Sequence, residues 1–168
     1  MRTKTSTWFE TAVRYDRQSD ENGQSKVNET YVVEALTFGE AEEVITREIE
    51  PFVSAEFAVK NVTPAAYGEI FFSDSNQDDK WYKAKVVFII LDEKTSKEKK
   101  SAVTYLVQAN SFNGAVKNVD AVMEKGMGDY QIANISETKI MDVFEHQVAT
   151  KKEEVNDKPE YEAQDDNK

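Results

Sequence analysis

Cysteine is absent from the 168 residues. That excludes a disulfide framework and any thiolate metal site. Histidine occurs once, as His146, and with no second imidazole to help it bind a metal it reads as a solvated side chain. Glycine and proline are scarce, six and three, so little is available for Gly-rich phosphate loops. The one close glycine pair, in "EKGMGDY" (124–130), lacks a Lys-Ser/Thr ending and follows a helical pattern rather than a strand. The acidic stretch "DSNQDD" (74–79) lacks the Gly and Glu spacing of a calcium loop. No run approaches the ~20 apolar residues of a membrane span. The opening "MRTKTSTWFETAVRY" holds no apolar core for a signal peptide.

These absences leave no nucleophile–base pair, no metal set and no cofactor fingerprint. The expectation is a cytoplasmic non-enzyme without cofactor, metal or membrane contact. Acidic residues number 32 against 21 basic ones, for a net charge of −11. That argues against a broadly basic nucleic-acid surface but leaves room for a local basic face.

The chain repeats itself. Sliding it by 74 puts Tyr31 on Tyr105, Val33 on Val107, Ala35 on Ala109, Phe38 on Phe112 and Ala41 on Ala115. A slide of 73 puts Trp8 on Trp81, Tyr15 on Phe88, and "FAVKNVT" (57–63) on "YQIANIS" (130–136). Each copy opens on an alternating aromatic-rich segment, 7–17 and 80–92, which reads as a strand. A polar turn follows ("SDENGQS", "KTSKEKK"), then a second strand, 27–36 and 101–109. Thr37 and Ser111 are placed to cap a helix in each copy. Phe38, Ala41, Ile45, Ile49 and Phe52 form one apolar stripe; Phe112, Ala115, Val119, Val122 and Met123 form the other. A third strand, 56–63 and 130–136, closes each unit, with a short extended piece after it.

The predicted fold class is α+β, with two tandem β-β-α-β repeats (7–72 and 80–145, linker 73–79). They would form an antiparallel sheet with both helices on one face, related by a pseudo-twofold axis. Residues 1–147 are one domain on this reading. Residues 148–168 read as a disordered acidic tail, rich in charge and poor in apolar side chains.

Alternation places Phe9, Thr11, Val13 and Tyr15 on one face of the first strand, with Tyr82, Ala84, Val86 and Phe88 on one face of its counterpart. The opposite face then carries Trp8, Glu10, Ala12 and Arg14 in the first copy, and Trp81, Lys83, Lys85, Val87 and Ile89 in the second. Tryptophans beside Arg and Lys on a helix-free face suit the stacking of unpaired bases, with phosphate contacts alongside. The loop holding Lys94, Lys97, Lys99 and Lys100 adds cations for a phosphate backbone. The same features also fit a lid on a core and a solvated, edge-protecting strand face. An acidic tail can compete for a basic groove or dock partner proteins.

The segments "TWFETAVRY", "YVVEALTFGEAE", "DKWYKAKVVFIILDEKTSKEKK", "YLVQANSF" and "ISETKIMDVF" resemble an uncharacterised domain family of gut anaerobic bacteria and their phages, over residues 7–145. The resemblance brings no catalytic or binding residues with it. It implies a small accessory protein of replication or recombination. The plan of folded domain plus acidic tail is similar to phage single-stranded-DNA-binding proteins. The tail departs from theirs in ending "AQDDNK" rather than on an aromatic or apolar residue. Tandem strand-rich units also resemble the PUR type of single-strand binder, with a different element order. The expected function is therefore single-stranded DNA binding. The alternative is a non-enzymatic protein–protein interaction module or regulator, in which the open face binds another protein or closes a homodimer.

Overall fold

The computed structural model describes residues 1–19, 21 and 23–146; the tail expected over 148–168 lies outside them. In chain order the elements are β1 (Arg2–Lys4), β2 (Trp8–Ser19), β3 (Gly23–Glu34), α1 (Phe38–Ile49), β4 (Phe57–Ala65), β5 (Ile70–Phe72), β6 (Lys80–Asp92), β7 (Lys97–Ala109), α2 (Phe112–Met123), β8 (Asp129–Glu137) and β9 (Ile140–Phe144). Neither helix is long and apolar enough to cross a membrane.

Two long hairpins form the frame. β2 and β3 pair antiparallel from Trp8↔Glu34 to Ser19↔Gly23, and β6 and β7 from Lys80↔Ala109 to Asp92↔Lys97. The second hairpin runs into the lysine-rich stretch expected to be a loop. Polarity does not end a strand on a solvated arm; backbone geometry does. Here the turn is tight, because the Asp92 carboxylate accepts from Lys94 N (3.0 Å), the Asp92 carbonyl accepts from Ser96 N (2.8 Å), and Ser96 adopts φ 53. In the first hairpin Gly23, at φ 81, supplies the left-handed backbone that a side chain disfavours.

Both helices start where the caps predict. The Thr37 hydroxyl accepts from Glu40 N at 3.1 Å and the Ser111 hydroxyl from Gly114 N at 3.1 Å. The stripe of α1 differs from its expected form at three places. Val44 joins Ala41, Ile45 and Ile49 in the core, Phe38 stays exposed at its rim against Phe9, and Phe52 leaves it. Pro51 cannot continue the helix, so the chain turns and Phe52 falls outside the helical spiral.

The strands form two sheets rather than the single antiparallel sheet expected. One has the order β4-β2-β3-β9, the other β1-β5-β7-β6-β8. Both are mixed, since β9 runs parallel to β3 and β5 parallel to β7. The helices do not share a face: α1 packs on the four-stranded sheet and α2 on the five-stranded one.

The reason lies on the helix-free faces. Phe9, Val13, Tyr31 and Val33 pack under α1, while Phe71, Val86, Val107 and Val119 form the core on the α2 side. The opposite faces carry Trp8 and Val32 in one sheet and Trp81 and Leu106 in the other. Left open, these would expose a large apolar patch. Instead they pack on one another, with Tyr67, Ile70, Ile140 and Val143 closing the same cluster. A buried aromatic or branched side chain stabilises by roughly 1.5–3 kcal/mol, so this third core is strongly favoured over an open sheet.

β1 has no forerunner in the sequence pattern. It adds to the edge of β5, and its charges reach the other sheet. Arg2 forms a two-pronged pair with Glu145 (2.6 and 2.7 Å), and Lys4 bonds Glu34 at 2.8 Å. Before β5 the backbone also approaches β7 closely, with Gly68 N donating to Thr104 O at 2.9 Å.

Candidate nucleic-acid interface

Trp8 and Trp81 are 1% and 2% exposed. They fill the contact between the sheets, which corrects the expectation that they stack bases on an open face. A ring already packed on both sides has no face to offer a ligand.

Of the expected cations, Lys83, Lys85 and Lys100 share the helix-free side of the five-stranded sheet, Lys100 lying across from Ile89. Lys83 is already engaged: Nζ lies 3.0 Å from Glu10 Oε1 and 5.7 Å above the Tyr67 ring. The Tyr67 hydroxyl donates to the same carboxylate oxygen. Burial raises the Glu10 carboxyl, but the bonds from Tyr67 and Lys83 outweigh it and hold the group below its ordinary value. Burial, then the Glu10 carboxylate, pushes the Tyr67 phenol well up. The trio ties β2, β6 and the approach to β5 together, and its chemistry is that of a joint.

Lys97 and Lys99 point to the other side of the arm, where Lys99 lies 3.5 Å from Asp92. Lys94 sits in the turn. Arg14 belongs to the other sheet. The expected residues therefore do not merge into one groove. His146 is a surface residue, its Nδ1 3.6 Å from Glu40.

Cations gather instead at the base of the β2–β3 arm. A groove of about 290 Å³ is lined by Arg14, Lys26 and Lys60, together with Tyr15, Phe57, Ala58 and the acids Asp16 and Glu56. Arg14 and Lys26 come from neighbouring strands on the helix-free face. Lys60 joins them through a bulge, where β4 slips one residue against Ala12 and Val13. Among the described residues none of Arg14, Lys26 and Lys60 is in an ion pair, although acids outnumber bases in this chain. The Arg14 Nε is buried without a hydrogen-bond partner.

On the helix side of the same arm a larger cavity, about 600 Å³, is lined by Tyr15, Arg17, Gln18, Gln24 and the turn from Phe52 to Glu56. The two share Tyr15, Asp16 and Glu56. Burial, then the hydrogen bond it donates to Glu29 (2.8 Å), raises the Tyr15 phenol, while Arg17 acts in the opposite sense. Lys26, Lys60, Arg17 and Phe52 escaped the sequence reading. Alternation cannot foresee a bulge, and Phe52 fits the helical spacing that the structure breaks.

No curated protein and no solved structure matches the chain. The profile of a domain of unknown function, DUF4494, matches residues 7–146, which is nearly all of the described fold, and the chain belongs to that family.

Proposed function

We propose that the protein binds single-stranded nucleic acid, DNA foremost, as an accessory factor in phage or mobile-element replication or recombination. The observation that carries this reading is the groove of three cations, Arg14, Lys26 and Lys60, that form no ion pair among the described residues, in a chain of net charge −11. Cations gathered in one groove of an acidic protein suit a run of phosphates, whose binding releases counterions.

The same reading takes the two halves as tandem β-β-α-β repeats about a pseudo-twofold axis. Four pairings support it. Trp8 and Trp81, equivalent in the repeat, share one cluster. Glu10 and Lys83, also equivalent, pair with each other. Phe144 stacks on Tyr31 and Phe71 on Tyr105, each across the two halves or their exchanged strands.

The test is anisotropy of a labelled single-stranded oligonucleotide. Binding at low salt is expected. Replacing Arg14, Lys26 and Lys60 by Gln should lower the salt slope by roughly 2, at ~0.7 for each phosphate no longer neutralised. No binding at low salt ends this reading. Exposed Ile90 and Leu91 on the β6–β7 arm favour the second, a protein-interaction module, in that event.

A further inference from the structure

The cavity on the helix side of the β2–β3 arm has a different lining from the cationic groove. Phe52 stands 81% exposed, and its position is fixed rather than incidental. Pro51 restricts the turn, and Phe52 N and Val53 N both donate to the Ile49 carbonyl, at 2.9 and 3.2 Å. Tyr15 lies half-buried on another wall, held by Glu29. Gln18 and Gln24 are cross-strand partners, and both line the cavity with Arg17. The cavity thus combines a free aromatic face with a guanidinium.

We infer that this cavity holds an unpaired nucleobase, stacked on Phe52 beside the Arg17 guanidinium. The inference rests on the single-strand reading above. The shared residues Tyr15, Asp16 and Glu56 make the cavity adjoin the cationic groove, so one strand could pass around the edge of β2 from phosphate contacts at Arg14, Lys26 and Lys60 to a base on Phe52. Asp16 and Glu56 at the junction repel phosphate, which favours a base rather than backbone between them. A base needs only a π-face and room, so this contact would be tolerant of sequence.

The test uses the full chain, a labelled deoxythymidine oligonucleotide and an abasic oligonucleotide of equal length. Phe52→Ala should weaken oligonucleotide binding roughly 5- to 150-fold, the equivalent of one base–aromatic stack, with the salt slope unchanged. It should leave abasic binding unaltered. Phe52→Trp should restore affinity and introduce a solvent-facing indole whose emission is quenched by the thymidine oligonucleotide and not by the abasic one. The exposed position makes both variants safe for folding. If the wild-type chain binds oligonucleotide and Phe52→Ala binds equally well, the stacking site is overturned while nucleic-acid binding stands. If the wild-type chain binds neither oligonucleotide at low salt, both fall.

Discussion

Lys83 Nζ lies 3.0 Å from Glu10 Oε1 across the junction of the two sheets. The slide of 73 residues that puts Trp8 on Trp81 also puts Glu10 on Lys83, one acidic and one basic, so the junction is complementary where identical charges would repel. The side chains are 42% and 29% exposed, and solvent screens the pair. A double-mutant cycle with Glu10→Gln and Lys83→Met should give a coupling of about 0.5–1 kcal/mol. Its pH dependence has a definite sign. The folded Glu10 carboxyl lies below its ordinary value of 4.5, so its contribution is present above that value and is lost as pH falls through the folded pKa. The stability gap between wild type and Glu10→Gln, from urea unfolding, should therefore close as the pH is lowered below the ordinary value of 4.5 and through the folded pKa. A gap that widens on acidification would contradict the assignment.

Truncating the tryptophans should damage the fold. Trp8→Ala and Trp81→Ala are each expected to cost about 3–5 kcal/mol, as is usual when a large aromatic site is emptied. Trp8→Phe should be milder, because the Trp8 Nε1 is buried with no partner among the described residues and deleting it relieves an unmet hydrogen bond. Both indoles should emit at short wavelength and resist quenching by iodide. Red-shifted, readily quenched emission would place a tryptophan at the surface after all.

The strands, hairpins and helix caps were legible because each rests on local chemistry. Alternation, Thr37 and Ser111 suffice for them. How strands assemble into sheets was not legible, because it depends on what covers the second face. Trp8 and Trp81 carry the same signature whether they stack a ligand or each other's sheet, and only the three-dimensional partner decides. β1 escaped notice because "RTK" is too short and too polar to alternate. At the candidate site Arg14 was visible in the pattern. Lys60 needed a bulge, and Phe52 needed the helix to stop at Pro51.

Gly68 should tolerate no side chain. A Cβ there would lie 2.4 Å from Val103 Cγ1 and 3.4 Å from the Tyr105 ring. Gly68→Ala is therefore expected to cost about 1–3 kcal/mol through overpacking. Gly39, in the first turn of α1, has nothing within 4 Å of such an atom, so Gly39→Ala should stabilise by about 0.5–1 kcal/mol. Urea midpoints moving in opposite directions would confirm both placements, and equal shifts would contradict the close approach at Gly68.

The two helix starts differ in one testable respect. Thr37 and Ser111 make the same bond to the backbone three residues on, both at 3.1 Å, so Thr37→Ala and Ser111→Ala should each cost about 1 kcal/mol. At α1 the residue in that third position is Glu40, whose carboxylate reaches back to Leu36 N at 2.8 Å. At α2 the position is Gly114, which has no side chain to return the bond. Glu40→Ala should therefore destabilise by about 0.5–1 kcal/mol, through removal of that bond and of the favourable charge at the start of the helix. Gly114→Glu should not gain the same amount, because a Cβ at Gly114 would already lie 3.1 Å from both Asn110 Oδ1 and Ser111 Oγ. Thermal melts of the four variants would decide it. A neutral Thr37→Ala would mean that packing on the sheet alone holds α1 in place, and the cap would then have no energetic role.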